Sequence, residues 1–327
     1  MHVLAAVMGA AAAAICCVAM AAYLYVHERN KKKRKGELNN GEWLPEYRSP
    51  ATGGGGGRSF SFAEIKAATR NFSEAQVVGV GRRGKVFRGV VDGGTAVAIK
   101  LAADPSPGRS AREFRAEIEA LPDLRHRHLV PILGFCSDRD ETILVYRYMP
   151  RGTLREHLRG KNGKPAMPWW RRLDACMGAA RGLHCLHAGG VVHGDVKATT
   201  VLLDENWVAK LSDFGLSNSK HVTMKSDVYS FGVVLFEALM ARRPALLTGD
   251  QAVSLAEHAL ACHRNGTLPD AVDAAIKDQV APECLEKFAE TAVECLAHQV
   301  TERPAMGDVL WNLELSMQLQ LINPKRT

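Results

Sequence analysis

The stretch that most limits the folds open to this chain is VVGVGRRGKVFRGVVDGGTAVAIK, residues 77–100. Gly79, Gly81 and Gly84 stand in G-x-G-x-x-G spacing, a weak signal alone because more than one phosphate-binding architecture uses it. A dinucleotide fold needs a helix to open at the third glycine. Here 85–91 is rich in valine, Asp92-Gly93-Gly94 gives a turn, and 95–100 reads as another strand. The order is therefore strand, glycine loop, strand, turn, strand. In such a hairpin the loop Gly79-Val80-Gly81-Arg82-Arg83-Gly84 can close its backbone N–H groups over phosphates, since glycine puts no Cβ in the way. Lys100, ending Val97-Ala98-Ile99, can reach the same phosphates. A lysine at a strand end is usually only solvated, and it is the loop before it that favours a binding role.

A chain this basic raises the question of nucleic acid. Net charge is +7, but HERNKKKRK at 27–35 carries six basic residues and one acidic, which leaves the remainder near +2. That is too weak for a nucleic-acid footprint, and none is expected as a partner. Ahead of the basic run, residues 3–26 make 24 positions without a charge. As a helix they would extend about 36 Å against a hydrocarbon core of about 30 Å, so the run reads as a transmembrane helix. Lys31–Lys35 then acts as a stop-transfer cluster that keeps the C-terminal bulk of the chain in the cytoplasm, with lipid headgroups as a second contact. A cleaved signal peptide is the alternative, opposed by the length of the run and by positive charge behind it. The eight cysteines show no paired spacing beyond the adjoining Cys16 and Cys17, so neither a zinc site nor a disulfide framework is indicated.

The expected organisation is a two-residue extracytoplasmic end (1–2), the span (3–26), a basic juxtamembrane and Gly-rich linker (27–58), a folded domain (59–321) and a tail (322–327). Gly53–Gly57 reads as a tether. Order resumes at FSFAEIKAATRNF, where Ser61 and Glu64 form a capping box and Phe60 and Ile65 have staple spacing. SAREFRAEIEALPDL offers Glu113, Glu117 and Glu119 on a helix, any of which could hold Lys100. His126 with His128, and His184 with His187, have no carboxylate or cysteine cluster beside them and read as structural rather than metal ligands.

Further motifs occur in register: LRHRHLVPILGFC, ILVYRYMPRGTLREHL, ARGLHCLH, HGDVKATT, VLLDENWVAKLSDFGLS, KSDVYSFGVVLFEAL and ERPAMGDVLWNLE. Together with the hairpin they resemble the plant receptor-like serine/threonine protein kinases, most of all the FERONIA-like, malectin-domain group, over about residues 59–321. The resemblance implies an α+β fold of two lobes, a small β-rich N-lobe and a larger helical C-lobe. It implies ATP and Mg2+ as cofactors, Glu117 as the partner of Lys100, and Asp195 as the base that accepts the substrate hydroxyl proton. Lys197 would contact the transferred phosphate and Asp213 would hold magnesium. Tyr146 would guard the pocket, the backbone of Arg147 and Met149 would meet adenine, and Val86, Ala98 and Leu202 would sandwich the base. Asp227 would brace the catalytic loop from below.

Four departures from the family pattern matter. Gly194 replaces an arginine that grips the activation loop, and Arg82 and Arg83 replace glycine and phenylalanine at the loop tip. Thr200 stands where asparagine should ligate metal, leaving at most one ion, held by Asp213; loss of one such contact costs about a hundredfold to a thousandfold in rate. Between Gly215 and Asp227 lie only eleven residues, LSNSKHVTMKS, where the family carries an activation and docking segment. Arg303 would thereby lose its glutamate partner, and the C-lobe would be destabilised. Only Met1 and His2 precede the span, so no ectodomain is expected. The reading is a membrane-anchored pseudokinase or signalling scaffold that binds ATP, with full-length receptor-like kinases or other signalling proteins as partners. The alternatives are an impaired serine/threonine kinase and a non-functional truncated product.

Overall fold

The computed structural model describes residues 58–81, 84–102, 125–136, 143–160, 165–215, 222–242, 245–248 and 251–322. The expected span at 3–26, Lys31–Lys35, Arg82, Arg83, Glu113, Glu117 and Glu119 lie outside these residues. Among the described residues no helix is long and apolar enough to cross a membrane.

The N-terminal part is a six-stranded sheet. Strand β1 (Arg58–Ser59) leads into helix α1 (Phe62–Ala68), and the capping box is formed: Ser61 Oγ accepts from Glu64 N–H while Glu64 Oε2 accepts from Ser61 N–H at 2.8 Å. Phe60 and Ile65 are buried in one apolar cluster with Val97, Ile99, Ile143 and Val145. Strands β2 (Val77–Gly81), β3 (Gly84–Val91) and β4 (Thr95–Ala102) come next as antiparallel neighbours. The three-residue turn Asp92-Gly93-Gly94 between β3 and β4 has φ 49° at Asp92 and φ 70° at Gly93, and Gly94 N–H donates to Val91 O at 3.1 Å; this left-handed pair suits the twist of the flanking strands. Strands β5 (Ile132–Cys136) and β6 (Ile143–Arg147) complete the order β1-β5-β6-β4-β3-β2. The parallel pairing of β1 with β5 brings the chains so close that a Cβ on Gly134 would fall 1.9 Å from the Arg58 carbonyl oxygen, so only glycine fits there.

The C-terminal part is helical. Thr153 caps α2 (Leu154–Leu158), and α3 (Trp169–Ala188) is the central helix, with Leu173, Cys176, Ala179, Ala180, Leu183 and Leu186 buried along it. A short antiparallel pair, β7 (Val201–Leu203) and β8 (Ala209–Leu211), comes after the loop 193–200. Helix α4 (Met224–Met240) comes next, then the hairpin β9 (Ala245–Thr248) and β10 (Gln251–Ser254). The chain closes with α5 (Leu255–Arg264), α6 (Leu268–Ala271), α7 (Pro282–Cys295) and α8 (Met306–Ile322). Helix α8 packs on α3 and α7, and α7 packs on α4. The expected α+β order of sheet, then helices, is what the chain adopts.

One expectation fails. Arg303 does not become an unpaired charge: it is half-buried, its Nε donates to Ala297 O at 2.9 Å and its Nη1 to Lys225 O at 3.1 Å, and its guanidinium lies 4.8 Å from the Tyr229 ring. Lys225 Nζ in turn donates to Arg303 O. Backbone carbonyls and an aromatic face replace the carboxylate, so the cost of a stranded buried cation does not arise.

Candidate active site

The β2–β3 hairpin, the end of β4, the loop 193–200 and α2 enclose a cleft of about 440 Å3. Gly79, Val80, Gly81, Gly84, Val86, Lys100, Asp195, Lys197, Thr200 and Asp213 all line it, so residues scattered over 135 positions of sequence meet in one place. Pairing in the sheet sets Val86 opposite Lys100, and Gly81 opposite Gly84.

Lys100 is almost wholly buried, and its Nζ lies 2.7 Å from Asp213 Oδ1. Among the described residues its carboxylate is thus Asp213, from the turn after β8, while Glu117 is not described. Asp213 has φ 62°, a left-handed backbone that costs a non-glycine residue about 1–2 kcal/mol, and the buried Phe214 beside it anchors the turn.

The loop 193–200 is braced from α4. Asp227, buried in the first turn of that helix, accepts from His193 N–H and Gly194 N–H at 2.8 Å each and contacts His187 Nε2 at 3.0 Å. Gly194 has φ 79°, where glycine has no Cβ penalty. The His193 ring is fully buried; burial pushes its pKa down against the pull of Asp227, and Nδ1 accepts from Asp195 N–H at 3.3 Å. Lys197 Nζ meets Asp195 Oδ2 at 2.8 Å.

Thr200 points inward. Its hydroxyl lies 3.0 Å from both Asp195 O and Lys197 O, and it accepts from Lys197 N–H at 3.1 Å. The side chain ties the loop to itself.

Tyr146 and Met149 are buried in the main core, and Ala98 and Leu202 pack half-buried against it, outside the cleft lining. Arg147 N–H is taken by Pro131 O at 3.0 Å and Tyr148 N–H by Ala96 O at 3.3 Å. Met149 N–H has no acceptor among the described residues. Tyr146, Arg147 and Met149 are not among the residues that line the cleft.

Other residues in the lining gave no sequence signal. Arg155 on α2 pairs through Nε and Nη2 with Glu237 on α4, at 2.6 and 2.9 Å, across 82 positions. Arg159 Nε donates to Ala241 O at 2.6 Å. The Thr153-x-x-Glu156 capping spacing was readable, but nothing local announces that α2 and α4 meet. Of the histidines read as structural, His128 contacts Ala209 O through Nδ1 at 2.9 Å, and burial pushes its pKa down to about 4.

The family model of protein tyrosine and serine/threonine kinases matches residues 72–222 and 217–313. The chain belongs to that family. Within the kinases it is similar to plant receptor-like protein kinases. It is 52% identical to the receptor-like protein kinase FERONIA of Arabidopsis thaliana, over 80% of this chain and 33% of the relative. It is 45% identical to ANXUR2 of the same plant, over 95% of this chain and 42% of the relative. HERK 1, also from Arabidopsis thaliana, shares 45% identity over 79% of this chain and 35% of the relative. The chain spans well under half the length of these relatives. The ANXUR2 alignment runs over 365 residues, more than the 327 of this chain, so that kinase carries stretches with no counterpart here. The two kinase matches meet at residues 217–222, in the link that comes after Gly215. Membership of the kinase family implies ATP and Mg2+ in general terms, and the cleft residues fit them.

Proposed function

We propose that this protein binds ATP in the cleft but has lost efficient phosphorylation of protein substrates, and acts as a pseudokinase or signalling scaffold. The observation that carries this reading is the shortness of the link between the Asp213-Phe214-Gly215 turn and α4. Thr223 is already the cap of that helix, so only seven residues, 216–222, connect the two. Seven residues reach at most about 25 Å when fully extended, enough to join the elements but not to form a seat for a polypeptide acceptor as well. Tyr229 on α4 is 36% exposed, consistent with no substantial cover of that face among the described residues.

The nucleotide half is better supplied. The glycine hairpin offers backbone N–H groups, Lys100 offers a buried cation, and Met149 offers an N–H that no described residue accepts. When bound, Mg·ATP supplies the transferable phosphoryl group and the cation that neutralises its charge. Asp213 is the carboxylate available for one ion, and Thr200 has its hydroxyl committed within the loop. On this reading Asp195, paired with Lys197, is the group that accepts a proton from a hydroxyl. Full-length receptor-like kinases or other signalling proteins are the partners of this reading, with Lys31–Lys35 on lipid headgroups behind a span at 3–26.

A second reading, a slow serine/threonine kinase using one magnesium, is favoured by the retained Lys100–Asp213 and Asp195–Lys197 pairs. One experiment separates them. With the full chain, Mg·ATP should raise the unfolding temperature, by an amount equivalent to about 2.7 kcal/mol at a hundred times Kd. Labelled-phosphate transfer to a generic protein acceptor should not exceed that of Asp195→Asn. Transfer that disappears with Asp195→Asn establishes the slow kinase instead.

A further inference from the structure

Two adjacent arginines on α3 have opposite surroundings. Arg172 is wholly buried, and its guanidinium donates to Met167 O, Ala238 O, Leu158 O and Asp273 Oδ2 at 2.6–2.9 Å. Arg171 turns the other way. Among the described residues its side chain makes no hydrogen bond or ion pair, although its Nε is shut off from solvent.

What Arg171 does have is two indoles. Its guanidinium carbon lies 4.4 Å from the Trp207 ring centroid and 4.9 Å from that of Trp170. Two rings thus flank the guanidinium, and the residue as a whole is only half-buried. A planar guanidinium held in that way presents the fork that matches a carboxylate. Arg171 lines a pocket of about 230 Å3 that also includes Arg127, Asp174, Met167, Leu203 and Val208. Two cations face one carboxylate there, and Asp174, three positions on, makes no ion pair with Arg171.

The walls are firm. Trp207 has φ 66°, a left-handed backbone that a bulky residue keeps only when its surroundings enforce it. Asp204 Oδ1 accepts from Asn206 N–H and Val208 N–H at 2.9 Å each, which fixes the β7–β8 turn. The Arg151 guanidinium covers the Trp207 ring at 4.2 Å and is itself tied to Glu205 O at 2.9 and 3.0 Å. Trp170 is 52% exposed, a large apolar face beside an unanswered charge.

We infer that this pocket docks a partner polypeptide in which an acidic side chain sits on the edge of Arg171 and a succeeding apolar side chain covers Trp170. The cavity is below the 300–1,000 Å3 or so of a small-molecule site and suits one or two side chains. Arginine and tryptophan are also the residue types that dominate interface energetics. The pocket shares no lining residue with the nucleotide cleft, so it goes beyond nucleotide binding and can fail independently of it.

The test uses the full chain and a fluorescein-labelled pool of heptapeptides with a central glutamate and then leucine, phenylalanine, methionine or tryptophan. Matched pools carry glutamine, lysine or phosphoserine at the centre. The glutamate pool should bind about tenfold or more tighter than the glutamine and lysine pools, and Arg171→Gln and Trp170→Ala should each remove about that factor. Stabilisation by Mg·ATP should stay unchanged in both variants. Trp170→Ala, at an exposed position, keeps the test open if Arg171→Gln does not fold. Absence of binding by the glutamate pool, equal binding of the glutamine pool, or binding unaffected by Trp170→Ala would overturn the inference. A tenfold preference for phosphoserine would replace it with a phosphopeptide site.

Discussion

The loop 193–200 and the link 216–222 flank the same aspartate, Asp213, and differ in almost every respect. The first is tied by Asp227, by the Thr200 hydroxyl and by the Lys197–Asp195 pair, so its backbone has little freedom left. The second is seven residues between a glycine and a helix cap. On the proposed reading, the contrast separates the segment that holds nucleotide from the segment that would seat a protein acceptor. One can be shortened while the other keeps its braces.

The largest effect should come from attacking the brace. Asp227→Ala leaves one buried and one part-buried backbone N–H group and His187 without their acceptor, and at about 1–3 kcal/mol for each unmet group the loss should reach about 3–5 kcal/mol. Urea denaturation would read it as a lower midpoint, with Mg·ATP stabilisation lost in parallel. A stability change below about 1 kcal/mol would mean that the loop does not depend on α4, and would break the comparison.

A smaller effect sharpens it. Thr200→Asn returns an amide oxygen to the metal side of the cleft without touching the link. Mg·ATP should bind up to about tenfold more tightly in a thermal titration, while transfer to protein acceptors stays at the Asp195→Asn level. If transfer rises instead, the missing ligand and not the short link limits catalysis.

The smallest effect lies at the link's far end. Thr223 Oγ1 accepts from Ser226 N–H at 3.2 Å, and Thr223→Ala should cost about 1 kcal/mol of global stability as a lost helix cap. Nucleotide affinity should not change. A matching loss of affinity would show that link and loop are coupled after all.

Much of the fold and of the cleft is legible in the residues alone. The hairpin from Val77 to Lys100 announces itself through glycine spacing, valine alternation and an Asp-Gly turn, all of which act within a few residues. The capping boxes at Ser61 and Thr153 are local for the same reason. Legibility fails at Arg303, where the loss of one carboxylate suggests a stranded charge. The chain instead supplies carbonyls from Ala297 and Lys225, 78 positions apart in the second case. It fails also for Arg155 with Glu237, and for the neighbours Arg171 and Arg172, which look alike in sequence.

Sequence alone determined the order of elements, the hairpin, the helix caps and the length of the link, because each depends on contacts or counts within a short stretch. Tertiary structure decided that Lys100 meets Asp213, where Arg303 finds its acceptors, and which of two adjacent arginines has no hydrogen bond or ion pair among the described residues. Those outcomes depend on surfaces brought together from distant parts of the chain, and a partner's identity there is set by packing geometry rather than by residue type.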